Sequence, residues 1–243
     1  ASRFGLASCF IAPGCASLIM AAVVRFTLDE RPVVDSYSRR KKAGNIRAIL
    51  RDKRLRRVMI PAIAHGMIKD NLNVWFARYF VNRFSIDLSA VAGYIFLIPL
   101  LALVGRMLYP ALYRLLKDEN LVSTLAFIVC AAAVIPVCLD DISPIGAIIC
   151  LGLISAMVAV INTHMLSAFP GRFAHTGNIS FVASVMDLLT YGGAGVGSLV
   201  FGALIQRCGY TGMFCAWGAA SLLSTGFLMA EYQMSKREAH QDI

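Results

Sequence analysis

One stretch of the 243-residue chain places charge where apolar side chains dominate: Gly66-Met-Ile-Lys-Asp-Asn-Leu-Asn-Val-Trp-Phe-Ala-Arg-Tyr79. It lies within an apolar run from Val58 to Phe80. That run is long enough to cross a bilayer, which takes about 20 residues at ~1.5 Å each. Lys69, Asp70, Asn71 and Asn73 occupy its centre. A charged group at that depth costs at least ~2.5–3.5 kcal/mol on insertion scales, so it must face protein or a wet cavity. An ammonium there can bind an anion, or it can be half of a structural ion pair, with Asp187 as a partner at similar depth. Asn73 follows Lys69 at i+4, shares its face and can donate a further hydrogen bond. Trp75 and Tyr79 have the same spacing and either line a pocket wall or anchor the span at an interface. Asp70 is turned ~100° from Lys69. It is therefore expected to pair with another helix or to help control protonation, rather than to neutralise Lys69.

Four further sites carry polar chemistry in apolar surroundings. Asp187 is either a proton-coupling carboxylate or an ion-pair partner. Asn162 and His164 are candidate substrate contacts, and His164 can also be a hydrogen bonder between helices. Arg106 can snorkel towards the nearer membrane face, with gating as the alternative. The glycines from Gly192 to Gly202 include Gly193-x-x-x-Gly197 and Ser198-x-x-x-Gly202, spacings that let helices approach closely, or that loosen a rocking helix. Seven cysteines, none in a C-x-x-C pair, read as small buried residues rather than metal ligands or disulfides. There is no Walker loop, H-E-x-x-H or nucleophile elbow. No enzyme activity, metal or cofactor is expected.

These residues must be positioned by membrane helices. The chain is 58% hydrophobic and 15% charged, with a mean hydropathy of +0.68, against roughly 25% charged for a soluble domain. Apolar runs predict seven spans: Phe4–Val24, Val58–Phe80, Ala90–Tyr113, Leu121–Leu139, Ile145–Phe169, Ile179–Ile205 and Met213–Ala230. The net charge of +9 could suggest nucleic acid, but its distribution does not. Twelve basic residues against four acidic ones fall in the loop Arg25–Arg57. If that loop is cytoplasmic, the cytoplasmic segments hold 17 Lys and Arg and the outer ones three. This bias predicts a cytoplasmic C-terminus in a cell membrane, inner or plasma. Within the loop, Ile46, Ile49 and Leu50 suggest a short amphipathic helix on an anionic leaflet.

A long basic loop between one helix and a compact set of six is what joins two halves of a repeat-built transporter. At this point the chain resembles a family. It is similar to the C-terminal part of a major facilitator superfamily transporter, from the sixth helix to the end. Within that superfamily it is most similar to the organophosphate:phosphate antiporters of glycerol-3-phosphate and hexose phosphates. The likeness rests on Lys69-Asp70-Asn71-Leu72-Asn73-Val74-Trp75 with Tyr79, on Ile98-Pro99 leading to Gly105, and on His164…Gly177-Asn178 followed by Tyr191-Gly192-Gly193 through Gly202 to Gly209-Tyr210. Two departures stand out. The acidic-basic pair expected after Gly105 is replaced by Arg106-Met107-Leu108-Tyr109-Pro110, and the seventh-helix base is Lys69 rather than Arg.

The resemblance implies an all-α membrane bundle of the major facilitator type. Residues 1–24 would be the last helix of the N-terminal half, 25–57 the central loop, 58–232 the six-helix C-terminal half and 233–243 a tail. It implies partner helices of the N-terminal half in the same polypeptide, a lipid bilayer around them and a small anionic substrate, probed by Lys69, Asn73, Trp75, Tyr79, Asn162 and His164. The function implied is secondary transport of a phosphorylated metabolite by antiport or proton symport. The alternative is a sensor of the same fold that binds such a ligand without moving it.

Overall fold

The computed structural model describes residues 5–27 and 46–241. The basic cluster Arg39–Lys42, the start of the first predicted span and the end of the tail lie outside the described residues. The chain divides into two compact units, Ala1–Lys41 and Lys42–Ile243. The first contributes α1 (Gly5–Thr27), 23 residues with Pro13 inside it.

The second unit is a helical bundle. It begins with α2 (Ile46–Leu50), where Ile49 is buried, and α3 (Lys53–Phe84). Asp52 caps α3 by accepting a hydrogen bond from the Arg54 amide at 2.8 Å. The helix therefore starts through charged residues, ahead of the apolar run at Val58. Next come α4 (Leu88–Ile95) and α5 (Leu97–Leu116), one apolar span interrupted at Phe96. Pro99 accounts for the interruption: it lacks an N–H, and its ring collides with the carbonyl four residues back, that of Ile95.

Asp118 caps α6 (Glu119–Val137) through the amides of Asn120 and Leu121. Ser143 caps α7 (Pro144–Thr163), which has proline at its first position. α7 continues into a wider π turn at His164–Ala168, closed by the Phe169 amide on the His164 carbonyl. The short α8 (Phe169–Gly171) and a 3₁₀ turn (Ala174–Thr176) lead to α9 (Ile179–Gln241). α9 breaks at Gly209, where φ is 68° and ψ is −171°. That region is open essentially to glycine alone, so 179–208 and 210–241 are two spans.

Ser89–Leu116, Glu119–Val137, Pro144–Gly171 and Ile179–Arg237 are long and apolar enough to cross a membrane. α3 is long enough but more polar, because it carries the charged stretch. α1 and α3, with these four and the break in α9, give seven long helical segments among the described residues. The fold is an all-α membrane bundle, as expected.

α3 and α9 form the most extensive packing in the second unit. Glycine makes it possible. A methyl group on Gly66 would overlap the Thr190 backbone, and one on Gly193 would overlap the Ile63 carbonyl. Asn71, fully buried, locks the pair. Its amide donates to the carbonyls of Met67 (2.9 Å) and Ala194 (3.2 Å), and its oxygen accepts from Trp75 Nε1 (3.2 Å) and Ser198 Oγ (2.9 Å). Every hydrogen-bonding group of this amide is satisfied, so Asn71 serves the bundle.

Candidate functional site

α3, α5, α7 and α9 line an open cavity of about 340 Å³. Lys69 and Asn73 come to it from α3, Arg106 from α5, Ser155 and Asn162 from α7, and Tyr191 from α9. Lys69 falls halfway along α3, and Arg106 halfway along α5. Gly105 explains how Arg106 reaches the wall. A methyl group there would overlap the Ala156 carbonyl, so α5 and α7 touch backbone to backbone at that level. Ser155, buried beside the contact, donates to the Ile98 carbonyl at 2.9 Å and ties the same two helices.

The Lys69 ammonium lies 3.6 Å from Asp70 Oδ1 and 4.8 Å from the centre of the Tyr191 ring. A cation over an aromatic face is attracted by the ring quadrupole. The expectation that Asp70 turns away from Lys69 is therefore corrected. The four-carbon lysine stem bridges the angle between consecutive residues. Asn73 donates to the Lys69 carbonyl at 3.2 Å and remains exposed at the cavity. Asn162 Oδ1 is buried without a hydrogen-bond partner. The lining holds two cations and, among the described residues, no carboxylate.

The other residues singled out by sequence lie elsewhere. Tyr79 is 2% exposed and sits edge-on to Phe80, Phe84, Tyr210 and Phe214. Trp75 is engaged with Asn71 and has the Arg78 guanidinium 5.8 Å from its ring centre. His164 is fully buried in the π turn, with Nδ1 2.6 Å from Ser123 Oγ. Asp187 is exposed, and its carboxylate does not pair with Lys69. Sequence reasoning had Arg106 snorkelling and passed over Ser155. Gly105 was the available signal, since a small residue marks a close helix contact and aims its neighbour along it. His65, one turn before Lys69 and fully buried, was also passed over.

Residues 1–189 match the family model described as Major Facilitator Superfamily. No curated protein and no solved structure matches the chain.

Proposed function

The chain belongs to the Major Facilitator Superfamily, a family of secondary transporters, and on that premise we propose that its cargo is a small organic anion, a phosphorylated metabolite, moved by alternating access. The observation that carries this reading is the pairing of Lys69 and Arg106, from different helices, on one cavity with no carboxylate among its described lining. Lys69 at mid-span and Arg106 in the second half of its span are offset when a dianion arrives between them. Arg106 can grip two oxygens of a phosphate at once, while Lys69 supplies a point charge. Asn73, Asn162 and Tyr191 offer hydrogen bonds to the rest of a polar metabolite. The volume suits a small ligand.

The resemblance to organophosphate antiporters supports the same substrate class. It also supports a cytoplasmic C-terminus in the cell membrane, in keeping with the Lys and Arg distribution. Asp70, beside Lys69, is the carboxylate placed to respond when the cavity fills.

The test is counterflow in proteoliposomes made with the complete protein. The panel is sugar phosphates, glycerol phosphate, inorganic phosphate and carboxylates. Accumulation of a labelled phosphate ester, lost in Lys69→Ala and Arg106→Ala, is expected; an imposed pH gradient then separates antiport from proton symport. Saturable binding without flux for every compound would identify a sensor instead. Flux of carboxylates but of no phosphate compound would overturn the substrate class.

A further inference from the structure

Cys138 and Cys215, 77 residues apart in sequence, have their sulfur atoms 4.0 Å apart. Cys138 caps the C-terminal end of α6, and Cys215 lies early in the second part of α9, after the Gly209 break. The two segments pack antiparallel. One turn further along, Gly218 faces Val134, and a methyl group there would sit in ordinary contact, 3.7 Å from Val134 Cγ1. Cys138 is half-buried and Cys215 exposed, contrary to the expectation that these cysteines are simply buried. Both cysteines line an apolar groove with Val134 and Ile135, at its end nearer the polar turn of Asp140 and Asp141, which begins two residues after Cys138. Among the described residues no cluster of three or more His, Cys, Asp or Glu could hold a metal ion.

We propose that Cys138 and Cys215 form a reversible disulfide, a modification site that clasps the end of α6 to the last helix. A disulfide has its sulfurs about 2.05 Å apart with Cβ atoms ~3.5–4.5 Å apart. Closing the observed gap brings the two sulfurs about 2 Å nearer to each other. The Lys and Arg distribution assigns this face to the outside, where disulfide-bearing thiol oxidants operate. One cysteine thiolate attacks the oxidant's disulfide, forming a mixed disulfide and expelling a thiolate. The second cysteine then attacks its partner's sulfur, and the oxidant leaves as a dithiol. Two electrons and two protons pass from the cysteine pair to the oxidant. Neither cysteine lines the cavity of Lys69 and Arg106. The clasp therefore acts on the durability of the bundle by closing a long loop in the unfolded chain, and leaves substrate affinity unchanged.

The experiment uses washed membranes containing the complete protein. They are oxidised with diamide, blocked with N-ethylmaleimide, digested and analysed by mass spectrometry. The Cys138 and Cys215 peptides are expected joined and unlabelled, and released by reductant, while the exposed Cys208 is alkylated. In C138S the joined species disappears and Cys215 takes the label. The oxidised wild type is expected to unfold at a higher temperature than the reduced form, a difference absent from C138S and C215S. Alkylation of both cysteines after diamide would overturn the disulfide. Equal unfolding temperatures for the joined and reduced forms would overturn the clasp.

Discussion

Lys69 and Asp70, consecutive in α3, form an ion pair 3.6 Å long, with side chains 24% and 33% exposed. A pair that open to solvent is worth at most about 1 kcal/mol. It offsets the charge of Lys69 weakly enough for an anion in the cavity to displace the carboxylate. Asp70→Asn should therefore leave the fold intact and raise affinity for a phosphate ester by up to about fivefold. Lys69→Ala should lose that binding without loss of thermal stability, and Lys69→Arg should keep part of it. Asp187→Asn should change neither, because Asp187 does not pair with Lys69. Titration calorimetry and thermal unfolding of the purified variants read these outcomes. A tenfold loss of affinity in Asp70→Asn would show that Asp70 supports the ligand instead of competing with it.

Arg106 provides the second charge at the cavity. Truncating one partner of a close charge pair costs about 2–5 kcal/mol in binding, so Arg106→Ala should weaken a dianion by that amount. Arg106→Lys should recover part of it, since charge is kept and the two-oxygen grip is lost. A carboxylate monoanion should lose less than a phosphate dianion in Arg106→Ala. Competition binding with both compounds checks the order. Equal losses would mean that Arg106 acts on the cavity's shape and not on ligand charge.

The architecture was legible because the bilayer imposes one rule on sequence, a long apolar run for each span. The predicted spans agree with the helices to within a few residues except at α3, which begins at Lys53 because Asp52 caps a charged first turn, and at the end of α9, which runs on to Gln241 beyond the predicted Ala230. At the site, depth was legible and direction was not. Lys69 and Asn73 could be placed on one face by helix periodicity alone. Arg106 could not be assigned between lipid, membrane face and cavity without knowing that Gly105 meets Ala156. Trp75 and Tyr79 obey the i+4 rule, yet Tyr79 is held by aromatic rings of α9 far away in sequence. Asp70 was misread because angular arithmetic on the backbone ignores the reach of a lysine side chain.

Glycines in α3 and α9 divide into two groups by what surrounds them. Gly193→Ala would drive a methyl group into the Ile63 carbonyl, and Gly66→Ala into the Thr190 backbone, whereas Gly195 has open space around its added methyl. Overpacking costs about 1–3 kcal/mol, and backbone against backbone leaves no flexible side chain to yield. Gly193→Ala and Gly66→Ala should each lower the unfolding temperature. Gly195→Ala should be neutral or raise it, since alanine favours a helix interior by roughly 0.5–1 kcal/mol. Thermal unfolding in one detergent ranks the three. A destabilised Gly195→Ala beside an unchanged Gly193→Ala would mean that α3 and α9 do not meet at this register.

Arg57 and Glu231 join the first turns of α3 to the far end of α9, with Arg57 Nη1 2.9 Å from Glu231 Oε2. Glu231 is 1% exposed, and its second oxygen has no hydrogen-bond partner. The carboxylate therefore depends on one guanidinium. Breaking a buried pair by removing one partner costs about 3–5 kcal/mol, and Arg57→Ala should approach that cost because it strands the carboxylate. Glu231→Gln should cost less, since the partly exposed Arg57 can turn to solvent. The double variant Arg57→Ala/Glu231→Gln should be more stable than Arg57→Ala alone. Unfolding of the four proteins in a double-mutant cycle gives the coupling directly. Additive losses, with no recovery in the double variant, would show that Glu231 draws its stability from elsewhere in the bundle.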